Sequence, residues 1–137
     1  RQRQMCIRDS SRIYQMSSTV QQLTADQTLV AREIAAGRLT PEQAETDSRR
    51  SVLLQCIGAS PVVEPDFVAG DIQAGATYMI CSDGFRHKIS NDEIMSKIGP
   101  AACGTEAEME DGCKFLTELV KYRKETDNIT VVLIKTE

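Results

Sequence analysis

Two short apolar runs constrain this chain most, because each carries an aspartate at one end. Residues 77–82 read as a strand that runs into Asp83-Gly84. Residues 129–134 read as a strand that begins just after Asp127-Asn128. The second run is continuously apolar or β-branched, which predicts a strand buried on both faces. If the two strands are antiparallel neighbours, the end of one lies beside the start of the other. Both carboxylates then emerge at one edge of the sheet. Two acids held close in a partly desolvated place repel, and each favours protonation. A divalent cation removes that conflict, and hard cations such as Mg²⁺ or Mn²⁺ prefer carboxylate oxygens. Gly84 allows a sharp turn after Asp83, and Asn128 braces the turn before the last strand. Asp-Gly and Asp-Asn are also common turn pairs. Spacing alone therefore leaves open both a plain turn and a cation site.

The rest of the chain supplies a mixed α and β frame. Residues 12–16 read as a strand, turned by Ser17-Ser18 into a hairpin partner at 20–23. Asp26 is placed to cap a helix reaching about Ala36, with Gly37 at the position of a helix-ending glycine. Thr40-Pro41-Glu42-Gln43 spells a capping box with proline at the first helical position. Strands are expected at 52–57 and around Val62-Val63 or Phe67-Val68. Ser90-Asn91-Asp92-Glu93 is a second capping box, opening a helix to about Ile98 that Gly99-Pro100 stops. The longest helix is expected over 106–124, with Met109, Cys113, Leu116 and Val120 on one stripe. Glu106, Glu108, Glu110 and Asp111 crowd its start and Lys121, Arg123 and Lys124 its end, which suits the helix dipole.

Composition narrows the function classes. The chain has 137 residues, room for one domain. A net charge of −4 argues against a nucleic-acid binder, which needs a basic face, and three Tyr, three Phe and no Trp make a base-stacking platform a poor fit. Five cysteines without CxxC spacing argue against a disulfide framework or zinc site and for a reducing, cytoplasmic setting. No apolar run reaches the roughly 18 residues of a membrane span. His87 reads as a solvated loop histidine, Cys81 as a buried strand residue, and Arg49-Arg50 as a solvated pair. Residues 1–10 are out of keeping with the rest. Met5-Cys6-Ile7-Arg8-Asp9-Ser10 matches a translated sequencing adapter, so these ten residues read as a non-native leader.

The ordered motifs resemble the metal-dependent protein serine/threonine phosphatase family (PPM, type 2C) of bacterial type. Ser11-Arg12-Ile13-Tyr14 resembles the end of its Gly-Asp-Ser-Arg strand. Residues 23–30 resemble its L-T-x-D-H-S-L-V segment, with Gln27 in place of His. Residues 37–44 resemble G-x-I-T-x-E-E-A, and residues 53–58 a strand ending in a Leu-Gly pair. Cys81-Ser82-Asp83-Gly84-Phe85 resembles C-S-D-G-L, and Asp127-Asn128-Ile129-Thr130 resembles D-N-I-T. The resemblance spans residues 11–137, as the C-terminal part of that phosphatase domain.

What the resemblance implies is an α+β fold, part of a four-layer α-β-β-α sandwich with antiparallel sheets. It implies hydrolysis of phosphoserine and phosphothreonine on proteins at a binuclear Mn²⁺ or Mg²⁺ site, whose ions activate a water for in-line attack on phosphorus. Asp83 and Asp127 would be metal ligands, and residues 37–60 a flap beside the cleft. Phosphoprotein substrates, and a cognate serine/threonine kinase as candidate partner, come with the same resemblance. The family's first metal-ligand motif and its phosphate-binding basic residue have no counterpart here, so this chain would hold only part of the site and be inactive alone. The rival reading is a catalytically inactive pseudophosphatase or regulatory binding module on the same fold. A third is a two-carboxylate cation-binding domain with no phosphatase role.

Overall fold

The computed structural model describes residues 11–49, 52, 54 and 67–137. The proposed leader, the expected strand at 52–57 beyond Val52 and Leu54, Val62-Val63 and Arg50 lie outside these residues. The described residues divide into two compact units, 11–24 with 68–137, and 25–49 with 52, 54 and 67.

The first unit is built on a four-stranded antiparallel sheet: β1 (Arg12–Met16), β2 (Val20–Gln22), β3 (Thr77–Cys81) and β4 (Val131–Lys135), in the order β2-β1-β3-β4. β1 and β2 form the expected hairpin, and β3 pairs antiparallel with both β1 and β4. Period-two alternation sends Tyr14, Met16, Met79 and Cys81 to one face, where they form a core with Phe85, Ile94, Ile98, Cys103 and Leu116. The other face carries Ile80, Val132 and Ile134, which are 38%, 49% and 48% exposed. The last strand is therefore not buried on both faces, as its apolar run predicts. Helices of this unit cover one side of the sheet, and none of its described elements covers the other.

Beyond β3 come α3 (Asp83–Arg86), α4 (Asn91–Ile98), a 3₁₀ turn (Pro100–Ala102) and α5 (Glu106–Tyr122). Ser90 caps α4 with its Oγ accepting from Glu93 N, and Glu93 returns a carboxylate to Ser90 N. Thr105 and Glu108 repeat that box at the start of α5, a box the sequence reading did not pick out. The expected stripe holds: Leu116 and Val120 are buried, and Met109 and Cys113 pack against the core. Gly112 is where α5 meets α4. A Cβ there would lie 2.3 Å from Lys97 O, so a residue that lowers helix propensity is needed for close packing. Phe67 and Val68 are exposed and form no strand.

The second unit contains α1 (Leu29–Ala35) and α2 (Pro41–Thr46). Thr28, not Asp26, caps α1, its Oγ1 accepting from Ala31 N at 3.2 Å, because a cap must sit directly before the first turn. The Thr40–Gln43 capping box forms as expected. Arg49 is not merely solvated. It pairs with Asp47 at 2.7 Å and holds that carboxyl down to about 2, through its side chain first and its backbone N–H second.

Arg123, just past α5, clamps the two long helices. Its Nη atoms donate to both Glu93 carboxylate oxygens, at 2.9 and 2.5 Å, and Nη1 also reaches Lys88 O. The Arg123 guanidinium, then the Ser90 N–H, pull the Glu93 carboxyl down to about 2 from 4.5. A depressed carboxyl stabilises the fold fully above its unfolded value, and the effect is lost as pH falls through the folded one. Glu93→Gln keeps the cap but not the charge. Its melting temperature should lie below wild type at pH 7, and the gap should close between pH 4.5 and pH 2. A gap as wide at pH 2 as at pH 7 would contradict the ion-pair account.

Candidate metal-binding edge

β3 and β4 pair in register, with Cys81 opposite Val131, so the end of β3 lies at the start of β4. Ser82 extends that pairing by one step. Its N–H donates to Thr130 O at 3.0 Å, its Oγ donates to Asn128 O at 2.9 Å, and the same Oγ accepts from Thr130 N at 3.0 Å. One side chain thus ties the residue before Asp83 to the residues after Asp127.

Asp83 begins α3 rather than a bare turn. Its backbone oxygen accepts from His87 N at 2.9 Å, closing a helical turn, and Phe85 is driven fully into the core. Gly84 serves close approach instead of a sharp turn. A Cβ there would lie 2.5 Å from Asn128 O and 3.3 Å from the carbonyl carbon of Asp127. The backbones of the two aspartate segments are therefore in van der Waals contact. Each aspartate holds its own following amide: Asp83 Oδ1 accepts from Gly84 N and Asp127 Oδ1 from Asn128 N, both at 2.8 Å. The second oxygen of each makes no hydrogen bond among the described residues. Two hard oxygen donors with a free coordination position each suit a hard divalent cation. They fall well short of the six ligands such an ion takes, and no group of three or more His, Cys, Asp or Glu among the described residues is gathered to hold one.

The neighbours are polar and cationic. Arg12 starts β1 opposite Cys81 and donates from Nη1 to Tyr14 Oη at 2.9 Å. Burial pushes the Cys81 thiol up to about 11 against the attraction of Arg86 and Arg12, so it is not a nucleophile at neutral pH. His87 is half exposed, as the sequence suggests, yet its Nδ1 lies 3.8 Å from Glu125 Oε2. Glu125 escaped the sequence reading. Its side chain is 7% exposed, and its Oε1 accepts from Thr126 N at 2.9 Å and Asp127 N at 3.1 Å. The one available signal was its place two residues before Asp127.

No family model matches the chain. The chain is 32% identical over 113 residues to the protein phosphatase PhpP of Streptococcus pneumoniae, a match covering 82% of this chain and 44% of PhpP. A protein of Streptococcus pyogenes serotype M6 with a type 2C phosphatase designation is 35% identical over 115 residues, 84% of this chain and 45% of that protein. The solved serine/threonine phosphatase of S. agalactiae superposes with a TM-score of 0.81 at 31% identity, across 94% of this chain and 52% of that one. The chain belongs to the type 2C (PPM) serine/threonine phosphatase family. It spans about half the length of the type 2C relatives above. The fold is α+β, with the antiparallel sheet and covering helices of half a four-layer sandwich. The catalytic domain of a serine/threonine phosphatase PstP, solved in complex with two manganese ions, superposes with a TM-score of 0.68 at 29% identity over 90% of this chain and 48% of that one. No helix among the described residues is long and apolar enough to cross a membrane.

Two substitutions test the junction. Gly84→Ala forces a methyl against Asn128 O and should cost about 1–3 kcal/mol. Ser82→Ala removes two side-chain hydrogen bonds and should cost about 1–2 kcal/mol. Thermal melts of the purified variants check both. Unchanged melting temperatures would mean that the two aspartate segments are not held together here.

Proposed function

We propose that residues 11–137 are the C-terminal part of a metal-dependent phosphatase that hydrolyses phosphoserine and phosphothreonine esters on proteins in the cytoplasm. Asp83 and Asp127 are its metal ligands within this chain, and Mn²⁺ or Mg²⁺ the ions. The observation that carries this reading is the junction itself: Ser82 and the bare Gly84 bring the two aspartate segments together at one end of the sheet, each with an uncommitted carboxylate oxygen. When bound, the ions would make a water acidic and neutralise phosphoryl charge. This chain's own part is to hold two negative oxygens against a rigid β edge, so that little reorganisation is needed on binding. The family's other ligands and its phosphate-binding residue would come from sequence that precedes this part. Phosphoproteins are the substrates of this reading, and a serine/threonine kinase the opposing partner. Nothing observed favours the pseudophosphatase or plain cation-binding alternatives over it.

Two outcomes follow. The purified 137-residue chain with Mn²⁺ and p-nitrophenyl phosphate should release no nitrophenol above background, because half the ligand set is missing. Metal-dependent release would show that the site is complete within this chain. In the enzyme with its N-terminal part in place, Asp83→Asn and Asp127→Asn should each cut phosphate release from a phosphothreonine peptide by about a hundredfold or more. A neutral amide holds a hard cation far less well than a carboxylate. Melting temperature in chelator should be kept or rise, since a repelling charge is gone. Near-wild-type rates for both variants at saturating Mn²⁺ would remove these residues from the ligand set.

A further inference from the structure

α5 does not stop by running out of helix formers. Arg123 is its last half-helical residue, and Lys124 follows in the left-handed region at φ 61°, although it is not glycine. Lys124 N donates to Lys121 O at 2.9 Å and Glu125 N to Val120 O at 3.2 Å. That pair of bonds is the Schellman closure of a helix C-terminus. A non-glycine residue held at positive φ is strained and persists only where its surroundings fix it. The closure fixes the backbone of Glu125 to the helix, whose buried Val120 and Leu116 anchor it in the core.

The side chain carries that rigidity onward. Glu125 Oε1 accepts from the consecutive amides of Thr126 and Asp127. Its Oε2 is buried, makes no hydrogen bond among the described residues, and faces His87 Nδ1 at 3.8 Å. A carboxylate buried to this degree, with one oxygen committed to two backbone N–H groups, leaves the segment little freedom to rotate. Asp127 is thus held from both sides, by Glu125 before it and by the Ser82 contacts after it.

We propose that Glu125 is a positioning residue for the cation site, fixing the backbone of Asp127 so that its carboxylate is presented to the ion by geometry and not by added charge. The inference rests on the reading of Asp127 as a ligand. It predicts that the reach of the side chain matters more than its charge. Glu125→Gln keeps an acceptor at the same distance and loses the charge. Glu125→Asp keeps the charge but, one methylene shorter, cannot put an oxygen where Oε1 accepts from both amides while the backbone stays fixed.

The test uses the enzyme with its N-terminal part in place, with Mn²⁺ itself as the probe. Loss of the free-ion electron paramagnetic resonance signal gives the binding midpoint, and hydrogen–deuterium exchange reports the amides of 126 and 127. Glu125→Asp should raise the midpoint about tenfold, as loss of groups that orient metal ligands does, and speed exchange at both amides. Glu125→Gln should stay within about twofold of wild type in both readouts. The reverse order, with Gln weak and Asp near wild type, would mean that charge attraction is the cause and would overturn the proposal. So would both variants binding like wild type. Asp127→Asn is the separate arm. If it leaves the midpoint unmoved, the ligand reading fails. If it weakens binding while Glu125→Asp does not, the ligand reading stands and the role of Glu125 falls.

Discussion

The antiparallel pairing of β3 with β4 is the constraint on which the rest depends. It places residues 46 positions apart side by side, at the one end of the sheet where both strands have an aspartate next to them. Backbone ladders set the register but not the spacing of side chains beyond the last pair. Ser82 does that, through a hydroxyl that donates to one residue and accepts from another. The absent side chain of Gly84 then lets the segments touch. A hydroxyl and a missing methyl group decide whether two carboxylates share a neighbourhood.

Behind that edge the helices act as a fixed wall. Phe85, fully buried one turn into α3, locks the segment that begins with Asp83, and truncating such a side chain typically costs about 3–5 kcal/mol. α5 reaches the other segment through its C-terminal closure. Arg123 bonds to Glu93 and Lys88, and Glu125 accepts from the amides of Thr126 and Asp127. The helical layer therefore supports both aspartate segments. The opposite face of the sheet, with Ile80, Val132 and Ile134 partly open, is what one sheet of a two-sheet sandwich presents. It agrees with the chain's covering only about half of its structural relatives.

Much of this was legible in the sequence, because the signals were local. Capping boxes at Thr40 and Ser90, the stripe along α5 and the two apolar strands each specify their structure within a few residues. The Asp83 and Asp127 motifs were legible for the same reason. What escaped depends on contacts across the chain. The run 129–134 resembles a doubly buried strand, but burial is decided by what packs on it. Gly84 reads as a turn residue, and only the approach of Asn128 shows what its missing Cβ is for. Glu125 looks like one more surface acid after a helix. Its role depends on Lys124 adopting a conformation that lysine rarely takes, which no local pattern announces. Thr28 in place of Asp26 as a cap is a smaller error of the same origin, since two polar residues compete and backbone geometry chooses.

On the proposed reading, Asp83 and Asp127 serve one cation cluster. The most direct measurement is an anomalous diffraction map at the manganese edge, from crystals of the enzyme containing this chain grown with Mn²⁺. The account predicts density between the two side chains, with a carboxylate oxygen of each within roughly 2.0–2.6 Å of an ion. Carboxylates more than about 10 Å apart, or manganese bound with neither aspartate in contact, would contradict it.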